Sequence, residues 1–146
     1  MNNPDPLWTA IVAPASQGGY LGAPFVWAGR GPVGYDCWGL VAAVRQRLGQ
    51  PVPDWEGDTY PTTAQAGHVL AHGAEAPVWL AVETMAPGDI IALSSHRRVH
   101  HVGIATPWGV LHSSRGYGCV LQDAPTLRRS GYRLIQPYRY QGPVHG

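Results

Sequence analysis

The chain has 146 residues, a net charge of +1 and 45% hydrophobic residues, enough apolar material for one folded domain over 1–146. Only 13% of the residues are charged, and this weak field argues against nucleic acid or an anionic membrane as the main partner. Two cysteines are too few for a disulfide framework, and no apolar run is long enough to span a membrane.

Helices are predicted first along the chain and a sheet second, which is an α+β arrangement. A short helix is expected within residues 7–15, and residues 17–34 are rich in Gly and Pro and predict a loop. From position 78 onward, short Val/Ile/Leu segments alternate with turn signals, as in an antiparallel sheet. The expected strands cover residues 90–93, 99–105, 110–113, 119–121 and 132–138.

Residues 34–41 read Gly-Tyr-Asp-Cys-Trp-Gly-Leu-Val and predict a helix with Cys37 at its first turn. Asp36 is a favourable N-cap residue, and Gly49 can end the helix. An apolar stripe at helical spacing contains Leu40, Val41, Val44 and Leu48, and two arginines lie off it, Arg45 and Arg47. Amide N–H groups at a helix start favour a thiolate, so Cys37 is either a nucleophile or a buried packing cysteine.

Two short segments are predicted to form one hairpin around Pro107 and Trp108. In the register that this turn favours, Ala105 faces Val110, Ile104 faces Leu111, and Gly103 faces His112. His101 and His112 then lie on one face of the sheet, and His100 points to the other.

An imidazole beside a thiol, oriented by a third polar group, is the arrangement that a thiol nucleophile needs. His101 would take the proton of Cys37 and return it to the leaving amine, while His112 would fix the tautomer of His101. The same three residues could instead bind zinc as a Cys-His-His set.

A second helix is predicted over residues 62–72, and it contains His68 and His72 at metal-ligand spacing. No carboxylate or cysteine lies near them in sequence to complete a metal site. We therefore predict a solvated or half-buried helix face there.

Four motifs together resemble the NlpC/P60 family of papain-like cell-wall cysteine peptidases. They are Pro-Phe-Val-Trp-Ala-Gly at 24–29, Tyr-Asp-Cys-Trp-Gly-Leu-Val at 35–41, Pro-Gly-Asp-Ile-Ile at 87–91, and His-Val-Gly-Ile at 101–104 followed by His112. The resemblance implies a small papain-like α+β domain whose nucleophile helix packs on an antiparallel sheet. It also implies hydrolysis of an amide bond in the stem peptide of peptidoglycan, without a cofactor. Cys37 is then the nucleophile, His101 the base and His112 the orienting residue.

Two positions depart from the usual family pattern. Phe25 stands where many members have Tyr, so the oxyanion is held by backbone N–H groups at the helix start, or activity is reduced. Trp38 stands where Ser is usual and resembles the phage tail-tip branch of the family, as does Leu-Gly at 48–49 followed by Pro-Asp-Trp at 53–55. We assign substrate contacts to Trp27, Asp36 and Trp38.

The leading hypothesis is a cysteine endopeptidase at a phage tail tip that opens the cell wall for genome entry. Its substrate would be the peptidoglycan stem peptide, and its partners would be other tail-tip or hub proteins. The N-terminus has no signal-peptide pattern, so we expect synthesis in the cytoplasm, incorporation into the virion and action at the cell wall.

Two other hypotheses remain open. One is a structural or plugging tail-tip subunit with the same fold and little turnover, anchored by tryptophans such as Trp55, Trp79 and Trp108. The other is acyl or amide transfer by the same residues on another substrate.

Overall fold

The computed structural model describes residues 5–52, 79–95 and 101–140. Helices in these ranges are α1 (Pro6–Ile11), α2 (Cys37–Arg47) and α3 (Ala124–Arg129). A short 3₁₀ turn at Ala15–Gln17 follows α1, after Pro14, which lacks the N–H group that a continuing helix requires. The predicted N-terminal helix is therefore confirmed, but it ends before position 15.

Six strands within the described ranges form one sheet, and every neighbouring pair is antiparallel. The order across the sheet is β1-β6-β2-β3-β4-β5, so β6 lies between β1 and β2. The strands are β1 (Trp79–Ala81), β2 (Ile90–Ser94), β3 (His101–Thr106), β4 (Gly109–Ser114), β5 (Gly118–Gln122) and β6 (Leu134–Tyr140). The predicted α+β class is confirmed, with α3 as an unpredicted helix between β5 and β6.

The β3–β4 hairpin has the register that the sequence predicts. Its ladder pairs Ile104 with Leu111 and Ala105 with Val110, and it closes at Thr106 and Gly109. Thr106 stabilises the turn, because its Oγ1 donates to Gly109 O at 2.9 Å and accepts from Trp108 N at 3.1 Å.

The apolar side of α2 packs on one face of the sheet. The buried residues of this larger core include Leu40, Val41 and Val44 from the helix and Ile90, Val102, Ile104 and Leu111 from the strands. The opposite face buries Ile91, Leu93, Ala105, Val110 and Leu127, the last from α3. Helices therefore cover both faces of the sheet, and successive residues of β2 join the two cores in alternation because the pleat directs them to opposite faces.

Arg45 lies off the apolar stripe of α2, as predicted, yet it exposes only 5% of its surface. Its Nη1 donates to Gly88 O at 3.0 Å, and its guanidinium lies over the ring of Tyr140, 5.3 Å from the centroid. The position of Arg45 is therefore set by partners more than forty residues away in sequence, which helical periodicity does not reveal.

Several predicted features lie outside the described residues. They are the helix over 62–72 with His68 and His72, most of the loop over 50–60, Trp55 and His100. None of the helices in the described ranges has the length and hydropathy needed to cross a bilayer.

The loop before α2 packs closely against the helix at Gly39. A Cβ atom at Gly39 would overlap the carbonyl oxygen of Gly29 and would lie 3.0 Å from Asp36 Oδ1. Ala normally stabilises a helix by about 1 kcal/mol relative to Gly, but overpacking costs about 1–3 kcal/mol. We expect Gly39→Ala to lower the free energy of unfolding, measured by urea denaturation.

The matched control is Ala42→Gly, which reports the ordinary Ala–Gly difference in the same helix, about 1 kcal/mol. A stabilising effect of Gly39→Ala would show that Gly29 does not approach the helix closely.

Candidate active site

The start of α2 is held by the side chain of Asp36. Its Oδ1 accepts from the N–H of Gly39 at 2.6 Å, which is the predicted N-cap. Both carboxylate oxygens also accept from Nη1 of Arg30 at 3.0 Å. This charged pair fixes the first turn of the helix and thus the position of Cys37.

The loop that precedes α2 folds back against the residues next to the nucleophile. Val26 N donates to Tyr35 O at 3.2 Å, and Asp36 N donates to Gly29 O at 3.2 Å. Ser113 on β4 donates from Oγ to Tyr35 O at 2.7 Å, which ties this loop to the sheet. Phe25 forms a parallel β-bridge with Tyr35, and Tyr35 precedes Cys37 by two positions. The backbone of Phe25 therefore runs beside the segment that leads into the nucleophile.

His101 and His112 form a buried imidazole pair. His101 Nε2 and His112 Nδ1 are 2.8 Å apart, and the two rings meet edge to face with centroids 4.9 Å apart. Gly103 makes this approach possible, because a Cβ there would lie 3.0 Å from His112 Cβ and 2.6 Å from Val110 Cγ1. The structure thus brings together the two histidines that the hairpin register places on one face.

Two further residues belong to the site and were not predicted. The ring of Tyr132 stacks on His101 at 5.8 Å with an interplanar angle of 10°, and it meets His112 edge-on at 6.1 Å. Gln122 Oε1 lies 2.8 Å from His112 Nε2. The β4–β5 pairing of His112 with Val120 places Gln122 on the same face, so that register could have indicated it. No local signal indicates Tyr132.

Cys37 lies at the point where the β3–β4 ladder ends. The backbone N–H of Val102 is directed at its sulfur, together with the N–H groups of Trp38 and Cys37 itself. Tyr132 is also near, because the charge of the Cys37 thiolate adds to the effect of burial in raising the pKa of its phenol. The sulfur is therefore adjacent to the strand residue that follows His101.

Burial opposes the effect that the helix start has on the ionisation of Cys37. Burial raises the pKa of Cys37 from about 9 to about 12, and the negative charge of Asp36 adds to this rise. The surrounding N–H groups lower the pKa, as expected at a helix start, but they are outweighed. Cys37 therefore keeps its proton at neutral pH in this conformation, and a base must remove it before the sulfur can attack.

The three residues assigned to substrate contact occupy different environments. Asp36 and Trp38 expose only 1% and 2% of their surface, Asp36 as the helix cap and Trp38 within the core. Trp27 is 41% exposed, and the guanidinium of Arg115 lies 4.0 Å above its ring. Of the three, Trp27 alone remains a candidate for substrate contact, because the other two are buried in structural positions.

The zinc alternative does not agree with the geometry of the imidazole pair. Two nitrogens on one tetrahedral zinc would be about 3.3 Å apart, with both lone pairs directed at the metal. Here the nitrogens of His101 and His112 are 2.8 Å apart and share a hydrogen bond. Within residues 5–52, 79–95 and 101–140, no three His, Cys, Asp or Glu side chains are grouped to hold a metal ion. Cys37 and Cys119 are both free and buried.

A cysteine at the first turn of a helix, packed on an antiparallel sheet that carries paired imidazoles, places the chain among papain-like α+β domains. Residues 22–131 match the sequence model of the NlpC/P60 family, which covers most of the chain. The chain belongs to the NlpC/P60 family, whose members are generally cysteine peptidases.

Curated relatives agree with this assignment. Probable endopeptidase Mb2213c of Mycobacterium bovis and probable endopeptidase Rv2190c of Mycobacterium tuberculosis are each 32% identical over 117 residues, 80% of this chain. The match covers 26% of each mycobacterial protein, so the chain spans about a quarter of their length.

Solved structures show the same fold. The NlpC/p60 domain of peptidoglycan hydrolase SagA has a TM-score of 0.54 at 26% identity, covering 89% of this chain and 97% of that domain. NlpC2 from Trichomonas vaginalis has a TM-score of 0.59 at 23% identity, covering 97% of this chain and 49% of that one.

The buried thiols predict a loss of stability at alkaline pH. Burial also raises the pKa of Cys119 to about 11, so both thiols stay protonated when folded and ionise near pH 9 when unfolded. The folded state then binds more protons, and the free energy of unfolding falls as pH rises from 9 toward 12. At pH 10 the loss is about 1.4 kcal/mol per thiol. Urea unfolding at pH 7 and pH 10 measures it.

The control is a Cys37→Ala/Cys119→Ala double variant, whose unfolding free energy should fall less between the two pH values. The sequence contains no lysine, so the other groups that titrate in this range are mainly tyrosines, which both proteins share. Equal pH dependence in the two proteins would contradict the raised thiol pKa values.

Proposed function

We propose that this chain is a cysteine endopeptidase that hydrolyses an amide bond in the stem peptide of peptidoglycan. The observation that carries the proposal is the 2.8 Å hydrogen bond between His101 and His112, beside the strand residue whose N–H faces the Cys37 sulfur. The relatives support it, because the mycobacterial proteins are named probable endopeptidases and SagA is named a peptidoglycan hydrolase.

In the first half-reaction, His101 accepts the proton of the Cys37 thiol as the sulfur attacks the carbonyl carbon of the amide. Because the pKa of the resting thiol is about 12, the thiolate forms only as its proton passes to the imidazole. N–H groups at the start of α2 hold the oxyanion, since Phe25 has no hydroxyl to donate. The C–N bond then breaks, His101 protonates the leaving amine, and a thioester remains on Cys37.

In the second half-reaction, water attacks the thioester carbonyl while His101 removes a proton from it. The C–S bond breaks, the proton returns to the sulfur, and the new carboxyl product leaves. His112 holds the ring of His101 in one orientation through both halves, and Tyr132 covers the flat face of that ring.

Substrate contacts are proposed at two places near this centre. The exposed Trp27 with the Arg115 guanidinium 4.0 Å above it offers an apolar face and a fixed positive charge, which suits the carboxylates of a stem peptide. A cavity of about 400 Å³ beside His112, walled by Tyr117 and Tyr132 among others, has room for a peptide side chain.

The test is release of soluble fragments from purified peptidoglycan, with mass spectrometry of the products from defined muropeptides. Cys37→Ala removes the attacking atom, so its release should fall to the background rate, a loss of about a thousandfold or more. Identification of the products gives the bond that is cut.

Cys119→Ala is the matched control, because it removes the other buried thiol without changing the proposed centre. It should release fragments at a rate close to that of the unmodified chain. Equal release by the unmodified chain and Cys37→Ala would refute hydrolysis by this thiol.

We propose further that the peptidase acts from a phage or phage-like tail tip, after synthesis in the cytoplasm and incorporation into the particle. Trp38 after the nucleophile and the Leu-Gly and Pro-Asp-Trp steps at 48–49 and 53–55 support this placement by their resemblance to that branch. The tail-tip and hub proteins of the particle would be its partners.

A structural tail-tip subunit with little turnover is the second candidate. Phe25 in place of Tyr and the buried, protonated Cys37 favour it, because both lower the reactivity expected of the resting site. Particles assembled with Cys37→Ala distinguish the two roles. We expect normal assembly with impaired genome entry if the chain is an enzyme. Normal genome entry by such particles would favour the structural role.

A further inference from the structure

Three polar side chains form one continuous hydrogen-bonded row on one face of the sheet. His101 Nε2 lies 2.8 Å from His112 Nδ1, and His112 Nε2 lies 2.8 Å from Gln122 Oε1. The row crosses β3, β4 and β5 in order, and Gln122 is its outer end.

The chemistry of the outer end fixes the proton positions along the row. In the structure the amide oxygen of Gln122 faces the ring, and because an amide oxygen only accepts, His112 Nε2 carries the hydrogen in this bond. In a neutral ring, His112 Nδ1 then has the lone pair and accepts from His101 Nε2–H. His101 is left with its lone pair on Nδ1, the nitrogen that a base acting on the thiol must use.

The reverse arrangement would disable the base. If His112 carried its hydrogen on Nδ1, His101 Nε2 would have to accept, and the lone pair of His101 would be used within the pair. His101 Nδ1 would then carry a hydrogen and could not take one from Cys37. The choice between the two states depends on which group faces His112 Nε2.

His112 is suited to remain neutral. Its side chain is buried with 2% exposed, and burial lowers its pKa, although the hydrogen bond to Gln122 acts in the opposite direction. Among the described residues, the titratable groups around it are His101 on β3, Tyr132 before β6 and Tyr117 from the β4–β5 turn, with Cys37 of α2 acting on Tyr132. The described residues that line the adjacent cavity include no carboxylate and no guanidinium.

We propose that Gln122 is a positioning residue that sets the tautomer of His112 and, through it, leaves the basic lone pair of His101 on Nδ1. This inference rests on the proposed peptidase function for its kinetic consequence, but the tautomers can be measured without any substrate. A neutral amide is the required partner, because a carboxylate there would stabilise a charged His112.

The first experiment records long-range ¹H–¹⁵N NMR spectra of the full chain with ¹⁵N-labelled histidine. In the unmodified chain, we expect both rings of the pair as pure Nε2–H tautomers at neutral pH. In Gln122→Met, which keeps length but cannot accept from the ring, His112 should become a mixture of tautomers.

The second experiment measures the pH profile of kcat/KM on a muropeptide. Gln122→Glu still accepts from Nε2–H but raises the pKa of His112, and a charged His112 has an Nδ1–H that opposes His101 Nε2–H. The acid limb of the profile, where kcat/KM falls as the pH is lowered, should therefore shift to higher pH by about one unit or more. Activity should be recovered above that pH. Gln122→Met should lose about three- to tenfold in kcat at all pH values without moving the limb.

Gln136 supplies the matched controls, because it is also a part-buried glutamine of the sheet. Its Nε2 donates to Val82 O and Pro137 O, away from the imidazole pair. Gln136→Met and Gln136→Glu should lower stability without changing the His112 tautomer or the acid limb.

Unchanged histidine tautomers in Gln122→Met, together with an unmoved acid limb in Gln122→Glu, would overturn the inference. If the tautomers respond while even the unmodified chain hydrolyses no muropeptide, the role of Gln122 stands and the proposed peptidase function fails. If Gln122→Met does not fold, the His112 pKa in Gln122→Glu is read from the same spectra. A raised pKa would support the inference, and an unchanged pKa would overturn it.

Discussion

The site depends on the register of one hairpin and on the point where its ladder ends. Because side chains alternate along a strand, a slip of one residue in β3–β4 would move His101 and His112 to opposite faces. The observed ladder runs from Ile104–Leu111 to Thr106–Gly109, and the next part of β3 turns its Val102 N–H toward the sulfur of Cys37. Backbone pairing, the imidazole pair and the nucleophile are thus set by the same few residues.

The nucleophile helix is held in place by a second group of contacts that is largely local. Asp36 caps the helix through Gly39 N and pairs with Arg30, and the loop residue Gly29 lies against Gly39 so closely that no side chain fits. These contacts place the negative charge of Asp36 beside the Cys37 thiol, and this charge disfavours the thiolate form. The contacts of Asp36 therefore fix the position of Cys37 but raise its pKa, so a base must remove the proton of the thiol.

Local signals were sufficient for the parts of the site that come from one helix or one hairpin. The cap at Asp36, the helix after it and the β3–β4 register follow from turn chemistry and periodicity, and all three agree with the structure. Tyr132 and the burial of Arg45 could not be predicted, because both depend on the order of strands that are distant in sequence. The raised pKa of Cys37 could not be predicted either, since the helix start is visible in the sequence but the packing around the thiol is not.

The strand order also constrains how the chain reaches its native state. β2 to β5 are consecutive neighbours and can pair as soon as residues up to Gln122 are synthesised. The other edge of β2 pairs with β6, which is synthesised last of these strands and also pairs with β1. β6 carries Arg139, whose guanidinium binds Asp89 at 2.9 Å. During synthesis β2 therefore presents an unpaired apolar edge, the kind of surface that holdase chaperones protect and that aggregates when crowded with copies of itself.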